Sequence, residues 1–516
     1  MTILTFITAL LPIIWLAVAL SVLKMPAHKA CLVALVLACT LAVGAWKLPA
    51  LWAGTAVLEG VLNALWPICL VIIAALFTYN ITVETGAMER IKGMLGSISP
   101  DKRVLALLIG WGFSNFMEGM AGFGTAVAIP ASMMVGLGFN PLAAVVGCLV
   151  VNSTPTAFGS VGVPTATLIS VTGVDPTAVA SDIVLIQLPL TLISPFFLVC
   201  ICGGGIKALR GMLPLTTVAA LSYALPWFAA GNFLPIELPD LVGSVCSMAA
   251  ILLLAKPLTG KNIPAEYALE QAECTAFSIT FKEGLRAWSP YIFILVLLLG
   301  TSLVTPVHNL IAPLKSTLQV YAGPNPNTLS FSWVNTAGVM IFASALAGGA
   351  LQGCTAKRMA KTLASTLKAY WKTVLTICCV MSMAKVMSYS GMVGDIATVL
   401  VAVAGAAYPL IAPVIGALGG FVTGSGTSTS VLFGGLQAQT AAQLGLSPSW
   451  IAAANIMGAG IGKMVCPQSI AVGAGAAGMQ GRESEIIGSV FKYFALYVVV
   501  SAAVCMVGAV FLQSLP

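Results

Sequence analysis

The run Met117-Glu118-Gly119-Met120-Ala121-Gly122-Phe123-Gly124-Thr125 sets a carboxylate, three glycines and a threonine inside a long apolar region. Glycine exposes backbone N–H groups and lets another atom approach closely. In lipid such backbone is tolerated only where protein or a water-filled cavity surrounds it. An acidic residue at that depth reads first as functional. About three hundred residues later, Val422-Thr423-Gly424-Ser425-Gly426-Thr427-Ser428-Thr429-Ser430 repeats the pattern, with Gly122-x-Gly124-Thr125 matched by Gly424-x-Gly426-Thr427. Asn152 stands 28 residues after Gly124, and Asn455 stands 29 after Gly426. Each asparagine opens the same series, Asn152, Gly159, Pro164 and Asn455, Gly462, Pro467. Paired interrupted segments in corresponding halves point to a transporter binding site.

If each run is the tip of a helical hairpin, two half-helix ends meet at the bilayer midplane. A helix N-terminus carries roughly half a positive charge and free N–H donors. Gly122, Phe123, Gly124 and Thr125 on one side, with Ser425, Gly426, Thr427 and Ser428 on the other, could then surround a carboxylate. The bland alternative is that these glycines only let helices pack closely. In Val151-Asn152-Ser153-Thr154-Pro155 the proline removes a helix hydrogen bond, and a break there offers Asn152 and Thr154 as ligands. The partner run from Asn455 to Lys463 is expected to break at its glycines; buried asparagine as interhelical glue is the rival reading. Glu118 and Lys463 are the charges of most interest. Lys463 suits an anionic substrate, and Glu118 suits a coupling proton, because burial disfavours a charged carboxyl. A structural ion pair between the two is the alternative. Lys385 is a further candidate, against snorkelling to the interface. Arg286, before Trp288, reads better as a headgroup anchor.

Composition states what solvent holds these residues. Of 516 residues 59% are hydrophobic and 8% charged, against roughly 25% charged in soluble domains. The chain is therefore counted in bilayer spans of about 20 residues. The net charge of +7 sits in short loops, as orientation signals do, and does not suggest nucleic acid. Thirteen cysteines and two histidines, His28 and His308, show no metal-ligand spacing. No phosphate loop of the Gly-x-x-x-x-Gly-Lys-Ser/Thr type is present, and no nucleophile, base and orienting partner form a set. An enzyme is the weakest class, and no cofactor or metal is expected.

The spacing predicts an all-α integral membrane protein of about twelve spans plus two re-entrant hairpins. Spans are expected at 4–23, 30–45 and 66–83, with 48–64 tilted or interfacial because Glu59 interrupts it. The N-terminal repeat covers 1–255, with a hairpin near 118–138. A cytoplasmic linker covers 256–288. The C-terminal repeat covers 289–516, with a hairpin near 423–445. The basic loops 88–103 and 353–372 are cytoplasmic by the positive-inside rule, and the polar loop 306–332 is outside. The two glycine runs are then entered from opposite faces, so the repeats are inverted.

At these same residues the sequence resembles the L-lactate permease family of bacterial inner membranes. The similar runs are 117–124, Gly136-Leu137-Gly138-Phe139-Asn140-Pro141-Leu142, 151–155, Leu285-Arg286-Ala287-Trp288-Ser289-Pro290, and Gly462-Lys463-Met464-Val465-Cys466-Pro467-Gln468-Ser469-Ile470. The resemblance implies a symporter of protons with L-lactate, D-lactate or glycolate. It also implies two inverted repeats, each with a re-entrant hairpin, and commonly a homodimer. Glu118, Gly122, Gly124, Asn152 and Lys463 stand in the family's motif positions. Thr125 departs from the alanine expected there, and Ser425-Gly426-Thr427 departs from a Gly-Ser-Asp type of turn. A sodium-coupled di- or tricarboxylate carrier of the same architecture, and a passive anion pore, are the rival functions.

Overall fold

The computed structural model describes residues 3–513 except 22, 24, 123, 260–262, 270–279, 325, 327 and 481. Its element order runs through two similar series. A 35-residue helical run, Ala50–Glu84, is answered by the 35-residue helix Ala356–Ser390. In the first series Ser114–Met120 turns at 121–124 into Thr125–Gly136; in the second Tyr408–Thr423 turns into Gly426–Gln443. Pro141–Val151 and Pro448–Lys463 follow, and the long helices Pro176–Cys202 and Glu483–Gln513 close the series. Between them lie Leu213–Phe233 and Pro239–Leu258.

Among the described residues nine helices are long and apolar enough to cross a membrane, or ten if one bent pair is a single span. That is fewer than the twelve expected. Thr5–Leu16, Thr125–Gly136 and Ala337–Leu351 are apolar but too short to cross alone, since a span needs about 20 residues. The segments 48–64 and 66–83 are one helical run bent at Trp66, whose φ of −130° and ψ of 118° leave the helical region. The described part of the polar loop 306–332 holds regular elements: Thr305–Ile311 is helical, and Lys315–Gln319 pairs antiparallel with Thr328–Ser332. Alternation over five residues per strand was too short to announce this hairpin.

Two departures from the expected breaks position the site. The first break is longer than one proline requires. Val151 ends a helix, Pro155–Phe158 makes one tight turn, and Ser160, Val161 and Gly162 take φ of 47°, 56° and 76°. Left-handed backbone costs a residue with a side chain roughly 1–2 kcal/mol, so surrounding packing must hold Ser160 and Val161 there. Ser160 Oγ donates to Ala121 O at 3.1 Å, which ties this break to the first hairpin tip. The second expected break is absent where it was expected: Pro448–Lys463 is continuous through all its glycines.

Those glycines serve close packing instead. Gly458 and Gly462 face Gly416 and Gly420 of Tyr408–Thr423. A Cβ on Gly416 would run into the Asn455 carbonyl, on Gly420 into that of Ala459, on Gly458 into that of Pro413, and on Gly462 into that of Ala417. Two small-xxx-small ridges thus bring backbone against backbone, the close approach that membrane helices use. Gly458→Ala forces these backbones apart. We expect it to lower the unfolding temperature of the purified protein in detergent, with an overpacking cost of about 1–3 kcal/mol. Gly475→Ala, whose new Cβ meets nothing within 4 Å, serves as the control and leaves that temperature unchanged or higher.

Candidate functional site

The close packing delivers Lys463, the last residue of its helix, to the broken segment of the other series. Lys463 Nζ lies 2.7 Å from Glu118 Oε1 and donates to Thr156 Oγ1 at 3.1 Å. Asn152 Nδ2 donates to the other carboxylate oxygen, Glu118 Oε2, at 2.8 Å. Asn152 is the residue at which Pro141–Val151 ends, and Thr156 Oγ1 in turn donates to Asn152 O at 2.8 Å. Glu118, Asn152, Thr156 and Lys463 are all buried. Gly159 backs the carboxylate: a Cβ there would stand 2.8 Å from Glu118 Oε1.

An ammonium and a carboxylate removed from water cost several kcal/mol each, recovered only with good geometry and further hydrogen bonds. Here the carboxylate has a donor on each oxygen and the ammonium has a second acceptor. The pair is still reachable, because both residues line a cavity of about 310 Å³. Thr423 to Ser428, Gln468 and Ser469 also line it, as do Lys372, Thr373 and Thr376 of Ala356–Ser390 and His28. Ser425 caps Gly426–Gln443, its Oγ accepting from Ser428 N at 3.2 Å. The first N–H groups of a helix have no partner within it, and Gly426 and Thr427, which head this helix, line the cavity.

The structure gathers Glu118, Gly124, Asn152, Ser425, Gly426, Thr427, Ser428 and Lys463 around one space. It does not bring four other expected residues to it. Thr125 turns back, its Oγ1 donating to Gly122 O at 2.7 Å within the tip. Gly122 packs on Ser160. Thr154 Oγ1 donates to Val151 O at 3.1 Å. Asn455 is wholly buried, its Oδ1 accepting from Gln437 Nε2 at 3.4 Å. Phe123 lies outside the described residues.

Thr156 is the contact that sequence reasoning missed. It sits four residues after Asn152, one helical turn on, and that spacing was a usable signal. Nothing local marked His28, Lys372 or Thr376, which reach the cavity from distant helices.

The chain matches the family described as L-lactate permease over residues 5–512. It is 40% identical over 450 residues to an L-lactate permease of Streptococcus iniae, covering 87% of this chain and 93% of that protein. The glycolate permease GlcA of Escherichia coli K12 is 35% identical over 547 aligned positions, 97% of this chain and 94% of that one. An L-lactate permease of Salmonella typhimurium is 34% identical over 532 positions, covering 98% and 95%. In fold the chain is similar to the structure of Neisseria gonorrhoeae MtrF at a TM-score of 0.48 and 15% identity, over 89% of this chain and 85% of that one. The ancestry rests on the sequence relatives: matched from end to end at such identities, this multi-pass membrane chain belongs to the L-lactate permease family.

Proposed function

We propose that the protein imports small 2-hydroxy monocarboxylates (L-lactate, D-lactate and glycolate) together with protons, through two inverted halves that meet at the Glu118–Lys463 pair. The observation that carries this reading is a buried lysine that lines a cavity with a glutamate as its ion-pair partner. A substrate carboxylate takes up Lys463, helped by the free N–H groups of Gly426 and Thr427. The 2-hydroxyl finds partners among Asn152, Thr156 and Ser428. The names of the relatives support the substrate class.

Charge balance supplies the coupling. The pair alone is neutral. An arriving anion would leave two carboxylates beside one ammonium in a buried site. An uncompensated buried charge costs several kcal/mol. A proton on Glu118 restores neutrality, so anion and proton enter and leave together. By the loop-charge reading, His28 and Lys372 lie on the cytoplasmic side, which makes the described form open inward. Movement of one half against the other alternates access.

Proteoliposomes loaded alkaline inside are expected to accumulate L-lactate, and uptake indifferent to the pH gradient would reject proton coupling. Glu118→Gln keeps an acceptor for Asn152 but cannot cycle a proton. It is expected to abolish gradient-driven accumulation while lactate exchange persists. Lys463→Ala leaves Glu118 buried without a cation, which costs ~3–5 kcal/mol of stability, and removes the anion partner. Lactate binding should weaken by about 100-fold or more, equivalent to ~2.8 kcal/mol. The neutral double variant Glu118→Gln/Lys463→Met should regain the unfolding temperature without regaining binding. Recovered binding in the double variant would remove Lys463 from the site.

A further inference from the structure

A second buried ion pair lies outside this site. Lys385 Nζ stands 2.8 Å from Glu59 Oε1, and both side chains are almost fully buried. Tyr389 OH donates to both oxygens of Glu59, at 3.1 and 2.9 Å. The Tyr321 ring lies flat on Tyr389, with centroids 3.7 Å apart and planes at 5°. Gly60 lets the two helices touch, since a Cβ there would run into the backbone of Ser382. Ser382 Oγ donates to Val57 O at 2.9 Å. Lys385 therefore does not extend to a headgroup, as a snorkelling lysine would.

The arrangement parallels the first pair. In each, one glutamate oxygen faces a lysine and the carboxylate accepts from a further donor, Asn152 at Glu118 and Tyr389 at Glu59. Lys463 has a second acceptor in Thr156. An ammonium has three protons to donate, yet among the described residues Glu59 is the one recorded partner of Lys385. Lys385 lines a cavity of about 590 Å³. Asn63, Ser170, Thr172, Ser388 and Gln439 supply polar walls, and no carboxylate lines it among the described residues. Lys385 and Lys372 are 13 residues apart on one helix, about 20 Å along its axis. Lys372 stands midway along that helix and Lys385 near its C-terminal end, and the cavity at Lys385 reaches Thr328 and Ser330 of the β-hairpin.

We propose that Lys385 is a second carboxylate-binding station, about 20 Å along the helix from Lys372, in the cavity that meets the β-hairpin. The ligand class, a small 2-hydroxy monocarboxylate, rests on the function proposed above. Lys385 takes the carboxylate with its two uncommitted N–H groups. Asn63, Ser388 and Gln439 stand ready for the hydroxyl. Tyr389, stacked on Tyr321, shares the charge of Glu59 through its hydrogen bonds, and a proton taken up with the anion keeps the station neutral, as at the first pair.

Equilibrium dialysis of the purified full chain against radiolabelled L-lactate tests this. Two bound lactates per chain are expected for the unaltered protein. Lys463→Ala and Lys385→Gln should each leave one, and the two changes together none. A single lactate per chain in the unaltered protein, lost in Lys463→Ala and kept in Lys385→Gln, would overturn the second station and leave the proposed function standing. Absence of any lactate or glycolate binding or uptake by the unaltered protein would instead reject that function. Should Lys385→Gln not fold, Glu59→Gln/Lys385→Gln removes both charges and keeps an acceptor for Tyr389. One bound lactate in this neutral variant supports the station; two would show that Lys385 serves only to neutralise Glu59. Glu59→Gln alone frees the ammonium and is expected to tighten the second binding event several-fold. Unchanged or weaker second binding counts against the assignment.

Discussion

A lysine and a glutamate from opposite halves of the chain meet at 2.7 Å, both largely out of contact with water. Breaking such a pair by removing one partner costs ~3–5 kcal/mol, while replacing both with apolar groups often costs nothing. Stability alone therefore gives little reason to keep the two charges. Their value lies in what they make expensive, a site whose net charge departs from zero. The rest of the architecture serves to bring these groups together and to keep a path open to them.

Close helix packing and a broken helix place these groups. Lys463 is carried in by a helix packed backbone to backbone on Tyr408–Thr423, through glycines that admit no Cβ. Asn152 and Thr156 come from a helix that stops and restarts through a 64° bend. The left-handed residues after it are anchored to the hairpin tip beside Glu118 through Ser160. Strain of this kind persists only where its surroundings over-determine it. A break that frees backbone is tolerated at membrane depth where it borders a cavity or protein, and Glu118, Gly159 and the cavity supply both.

The membrane class was legible in the composition, and Glu118, Asn152 and Lys463, which the structure brings together, stood out because charge is rare in apolar sequence. What misled was the assumption that matched spacing means matched roles. Asn152 and Asn455 open identical series, yet Asn152 ends its helix while Asn455 lies eight residues inside one. The glycines around Asn455 look like helix breakers, but in lipid glycine is as much a packing residue. Only the facing glycines at 416 and 420 decide between those meanings, and they lie some forty residues earlier in sequence. Lys385 was equally undecidable. Its partner Glu59 is 326 residues away, and each alone looked like an interruption of a span.

The two ion pairs make a stricter point about repeated architecture. Glu59 and Lys385 lie on the two corresponding 35-residue helical runs, yet they are not matched positions: Glu59 is the tenth residue of its run and Lys385 the thirtieth. Glu118 belongs to a hairpin arm and Lys463 to the end of a later helix. In both pairs the acid comes from the first half and the base from the second. Each pair therefore closes only when the two halves are packed together, because either half alone would leave a buried charge without its partner.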